Sequence, residues 1–104
     1  MDNFKVIYKI LKILEKAMDI DEFDTSSISA EALKLTEKRW QLLMTMLVDN
    51  GYVKGVVVIK TLSHESVKVN NIQITLKGLE YLAENSLMKK AASLAKGISD
   101  IAPW

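Results

Sequence analysis

Apolar residues recur at spacings of three and four from the start of the chain. Phe4, Ile7, Leu11, Leu14 and Met18 form one stripe, and Val6, Ile10, Ile13 and Ala17 form a second. This period predicts a helix over Asn3–Met18. At about 100° per residue the two stripes merge into an apolar arc of roughly 220°, which leaves only the face carrying Lys5, Lys9, Lys12 and Lys16 clearly polar. An arc that wide predicts cover on two sides. The segment Asp19–Ser27, with Asp19, Asp21, Glu22 and Asp24, breaks the pattern and reads as a connection. Ser29 is then placed to cap a short helix, Ala30–Leu35, with Glu31 in its first turn to complement the helix dipole. Thr36 caps a third helix running to about Asp49, with Trp40, Leu43, Met44 and Leu47 as its inward stripe. Asn50-Gly51 supplies the left-handed residue that ends it.

After Gly51 the period changes. Tyr52–Leu62 and Val67–Thr75 are rich in β-branched residues and predict two strands, with Ser63-His64-Glu65-Ser66 as the hairpin loop. A short strand near Thr25–Ile28 would pair with this hairpin. Thr75 caps a further helix through Glu84, with Leu76, Leu79, Leu82 and Ala83 inward, and Ser86 starts a last one reaching about Ile98. Helix, short helix, tight turn, helix, two-stranded hairpin and helix is the order of a winged helix-turn-helix. The expected fold class is therefore α+β, with a three-helix core, a β-hairpin wing and extra C-terminal helices.

Composition narrows this picture. With 104 residues there is room for one domain, 1–104, and a hydrophobic share of 49% against 26% charged residues suits a globular core. A net charge of +1 excludes a strongly basic polyanion binder, so any such binding rests on local patches. The absence of cysteine removes disulfides, thiolate metal cages and cysteine nucleophiles, and fits a cytoplasmic location. The first helix is too interrupted by lysine for a signal peptide or a membrane span, and no membrane association is expected.

Three stretches carry a family resemblance. They are Leu35-Thr36-Glu37-Lys38-Arg39-Trp40, Leu47-Val48-Asp49-Asn50-Gly51-Tyr52-Val53-Lys54-Gly55, and Ile74-Thr75-Leu76-Lys77-Gly78-Leu79-Glu80-Tyr81-Leu82-Ala83-Glu84-Asn85-Ser86. Together they resemble the YjcQ-like family of small bacterial and prophage proteins, over roughly residues 4 to 97. The third stretch is also similar to the strand-to-helix junction of many winged-helix regulators. The resemblance implies a winged-helix fold without a firmly assigned activity, and it carries over no catalytic residues.

Enzyme chemistry finds little purchase. The single histidine, His64, lies in the expected hairpin loop beside Ser63 and Glu65. Adjacency in a loop does not make a triad, which needs a nucleophile, base and acid converging on a rigid frame. No phosphate-cradling glycine loop and no zinc-ligand spacing occur. The acidic run 19–24 lacks the alternation and central glycine of a calcium loop. No catalytic residue, metal, cofactor or small-molecule substrate is expected.

Binding is the remaining class. On the third helix Lys38, Gln41, Thr45 and Asp49 oppose the inward stripe, with Arg39 on the flank; Lys38 and Gln41 suit base edges and Thr45 suits bases or phosphate. Lys60, Lys68 and His64 at the wing add candidate contacts to double-stranded DNA. Against this, Glu37 and Asp49 leave the helix neutral, Leu42 and Met46 border its outer face, and Val56–Ile59 places apolar side chains on both faces of the first strand. A protein partner is the alternative occupant. Leu87, Ala91, Leu94, Ala95 and Ile98 form a narrow stripe on the last helix, which either folds back on the first helix or pairs with a second chain in a homodimer. Both arrangements put Leu14 and Leu94 at the apolar surface between helices. Truncation after Asn85 is therefore expected to cause aggregation, read as loss of soluble protein; a soluble fragment of unchanged thermal midpoint would contradict it.

Overall fold

The structure, a computed structural model, describes residues 2–85. The last helix expected over 86–98, including Leu87, Ala91, Leu94 and Ile98, lies outside the described residues.

Helix α1 (Asn3–Ala17) is capped by Asp2, whose Oδ1 accepts from the Phe4 amide at 2.9 Å. It buries Val6, Ile10, Leu11 and Leu14, with Ile7, Tyr8 and Ile13 packed against them. Cover stops short of the two ends of the stripe, where Phe4 and Met18 are 71% and 62% exposed.

The expected strand at Thr25–Ile28 is a 3-10 turn instead. Asp24 Oδ1 accepts from the Ser26 amide at 3.0 Å, and the Ser27 and Ser29 hydroxyls donate to the carbonyls of Asp24 and Ser26. Short polar side chains thus satisfy the backbone locally, and a sheet ladder has little left to recruit. Ser26, first through its side chain and then through its amide, holds the Asp24 carboxyl below the ordinary carboxylate range. Ile28 is fully buried, and its carbonyl accepts from Trp40 Nε1 at 2.7 Å, which ties this turn to the core from the helix side.

The short helix expected over Ala30–Leu35 is a single turn. Ser29 does cap it, its hydroxyl accepting from the Ala32 amide at 3.1 Å. Lys34 then enters the left-handed region at φ 58, and the amides of Lys34 and Leu35 reach back to Glu31 and Ala30 at 3.1 and 2.8 Å. This paired closure ends a helix, and it does so here after one turn. A lysine in that conformation carries about 1–2 kcal/mol of strain that glycine would not.

Helix α2 (Glu37–Asp49) begins where expected, with Thr36 Oγ1 accepting from the Arg39 amide. It buries Trp40, Leu43, Met44 and Leu47. Gly51, at φ 78, ends it with the same paired closure, the Gly51 and Tyr52 amides bonding to Val48 and Leu47 at 3.1 and 2.9 Å.

Strands β1 (Val53–Lys60) and β2 (Glu65–Ile74) form an antiparallel hairpin. Its loop is tighter than expected: Thr61 and His64 close it, the Thr61 amide donating to the His64 carbonyl at 2.8 Å and the His64 amide to Thr61 Oγ1 at 3.0 Å. The register slips between Lys54 and Val56. There Gly55 sits at φ 86 and Asn71 at φ 56, so both strands change face at one level. Below the slip Val53, Ile72 and Ile74 face the core; above it Val56 is buried and Val58, Val67 and Val69 share its face at least half-buried. Val57 and Ile59 are turned outward, 49% and 36% exposed.

Thr75 caps helix α3 (76–85), its hydroxyl accepting from the Gly78 amide and donating to the Gly51 carbonyl. The inward face of α3 runs through Gly78, Leu79 and Leu82, while Leu76 and Ala83 are exposed, contrary to the sequence expectation. A tilted Tyr52–Tyr81 ring pair at 5.3 Å holds α3 against the exit from α2. Burial, with smaller contributions from Tyr52 and Asp2, raises the Tyr81 phenol above its ordinary value.

Candidate nucleic-acid interface

The outer face of α2 is set by its buried stripe. With Trp40, Leu43, Met44 and Leu47 inside, Lys38, Leu42, Thr45 and Asp49 point the other way. Lys38 and Asp49 are exposed, and Gln41 and Thr45 are half-buried. Thr45 Oγ1 donates to the Gln41 carbonyl at 2.8 Å, so its hydroxyl is already engaged as a donor and its lone pairs remain for a ligand. Leu42 and Met46 are each 51% exposed and give this face an apolar border.

Arg39 leaves this group. Its Nη1 donates to Asn3 Oδ1 at 2.9 Å, and the guanidinium is turned toward the first turn of α1. The bond joins residues far apart in the chain and ties the N-terminal ends of α1 and α2 together. The wing residues are not gathered on one surface either. Lys60 lies opposite Glu65 and shares the row of Val56 and Val58, whereas Lys68 lies opposite Val57 on the other row. His64 is exposed beside the hairpin turn, with its backbone fixed by Thr61.

Two of the depressions among the described residues flank α1. A groove of about 320 Å³ runs between the C-terminal end of α1 and the root of β2, lined by Leu14, Met18, Phe23, Ile72 and others. The second, of about 300 Å³, lies between the first half of α1 and the single turn before α2, and it gathers Lys5, Lys9 and Lys34 around Val6 and Leu33. The lysine spacing on α1 is visible in the sequence, but the arrival of Lys34 beside it depends on the left-handed closure of the short turn. Among the described residues no group of three or more His, Cys, Asp or Glu is placed to hold a metal ion, and no helix is long and apolar enough to cross a membrane.

Three helices and a two-stranded antiparallel hairpin among the described residues are compatible with a winged helix in an α+β domain. A family model described as YjcQ protein matches residues 8–101, and the chain belongs to that family. It is not a known enzyme family. No curated protein matches the chain. No solved structure matches it either.

Proposed function

We propose that this protein is a DNA-binding accessory or regulatory factor of phage or prophage type, working in the cytoplasm on a winged helix-turn-helix scaffold. The observation that carries this reading is the outer face of α2, where Lys38 is exposed and Gln41 and Thr45 are half-buried, on a helix that packs against the first strand of the hairpin. In this reading α2 enters the major groove, Lys38 and Gln41 meet base edges, and Thr45 meets bases or phosphate. The wing reaches the backbone through Lys68 or Lys60, one face at a time, with His64 at its tip; Arg39 serves as the brace that orients α2 against α1.

A second reading has its own support. Leu42 and Met46 at the border of the same face, together with Val57 and Ile59 on the wing, would suit a protein partner or a second copy better than DNA. An amide-resolved NMR titration with a mixed-sequence duplex at low salt separates the two. DNA binding is expected to shift resonances near Lys38, Gln41, Thr45 and the wing turn, with affinity falling steeply as salt rises. No shifts at millimolar duplex would remove the DNA reading, and binding to a protein through apolar surface would be nearly salt-independent.

A further inference from the structure

We infer that the depression between α1 and the single turn preceding α2 is a seat for the phosphodiester backbone of duplex DNA. This inference rests on the DNA-binding reading and adds a contact that neither the recognition face nor the wing supplies. The seat is lined by Lys5 and Lys9, one helical turn apart on α1, and by Lys34 from the facing turn, over a floor of Val6 and Leu33 that are 7% and 6% exposed. Buried apolar side chains under lysine stems leave the ammonium groups at the rim, where they act as mobile point charges suited to phosphate oxygens.

Charge bookkeeping favours an anion. Asp2 is the one acidic residue lining the depression, and its Oδ1 is engaged by the Phe4 amide as the helix cap. Among the described residues no carboxylate lies within 4.0 Å of Lys5, Lys9 or Lys34, whereas Lys12 on the same lysine face is paired with Glu15 at 3.0 Å. Lys12 on this face is thus neutralised, whereas Lys5 and Lys9 at the depression, and Lys16 beyond it, have no such partner among the described residues.

Position favours DNA as the source of that anion. The Arg39–Asn3 bond holds this end of α1 beside the first turn of α2, and Lys34 precedes the α2 cap, Thr36, by two residues. The lysines therefore border the end of α2 that would lead into a groove, where a phosphate strand must pass.

The test is the salt dependence of affinity for a mixed-sequence duplex, measured for the full chain and for three variants. Lys5→Gln/Lys9→Gln/Lys34→Asn removes the seat, asparagine being tolerant of the left-handed conformation. Lys5→Gln/Lys9→Gln leaves the turn untouched and serves if the triple variant is poorly folded. Lys12→Gln/Lys16→Gln is the control, removing charge from the same helix away from the depression. The seat variants are expected to lower the slope of log affinity against log salt by about one for each phosphate that is no longer neutralised, equally for duplexes of different sequence. The control should leave the slope near that of the parent. An unchanged slope in a seat variant that still binds DNA overturns the seat alone, and so does an equal reduction in the control. Absence of DNA binding by the parent chain overturns the DNA reading and the seat with it.

Discussion

Gly55→Ala is expected to lower the thermal midpoint by at least about 10 °C, a cost on the order of 2–5 kcal/mol in a domain of this size. Two causes add. The residue sits at φ 86, and a Cβ there would lie 2.5 Å from the Asn71 carbonyl oxygen and 2.7 Å from that of Asn70. Both neighbours are backbone atoms of the facing strand and can yield only by opening the register slip. Gly51→Ala is the informative companion. Its φ of 78 is similar, but the nearest atom is the Lys77 Cδ at 3.8 Å, so only the conformational cost applies, about 1–2 kcal/mol. Equal losses in the two variants, measured by thermal unfolding, would show that crowding at the slip contributes nothing.

The second large effect is expected at Trp40. Trp40→Ala should cost about 3–5 kcal/mol through reduced burial and the cavity left behind. The discriminating variant is Trp40→Phe, which retains most of the apolar surface but has no donor for the Ile28 carbonyl. Because Ile28 is fully buried, its carbonyl is left without its indole partner, and a cost of about 1–3 kcal/mol is expected. Chemical denaturation reads the loss, and hydrogen exchange reads its location: Ser26, Ser27 and Ser29 should exchange faster in both variants. A phenylalanine variant as stable as the parent would mean that the indole bond does not hold the 3-10 turn in place.

These two sites mark where sequence reading succeeds and where it stops. The ends of α1 and α2, the caps at Thr36 and Thr75, and the Asn50-Gly51 stop are all legible, because each is decided by residues within one turn of the boundary. The buried stripe of α2 is legible for the same reason. The segment 25–35 is not, because its serines and Asp24 can serve an extended strand, a 3-10 turn or a helix start, and the choice falls to Trp40 reaching back to Ile28. The slip in the hairpin needs Gly55 and Asn71 to meet across two strands, and neither strand shows it alone. On the candidate interface, Lys38, Gln41 and Thr45 follow from helical period. The diversion of Arg39 to Asn3 and the convergence of Lys34 on Lys5 and Lys9 are tertiary facts. The opposite orientations of Lys60 and Lys68 follow only once the register is known.

The register slip also gives the hairpin two compartments. Below it, Val53, Ile72 and Ile74 belong to the core and share its fate. Above it, Val56 still belongs to the core and Val67 and Val69 pack against it, so only the end of the hairpin, Ile59 and Lys60 opposite Ser66 and Glu65, projects as an arm beyond the body. Residues added or removed in matched pairs beyond Val58 and Val67 would lengthen or shorten that arm without altering how the core closes. The end of the hairpin is therefore an exchangeable part, one whose reach can change while the valines above the slip at Gly55 and Asn71 keep the same foundation.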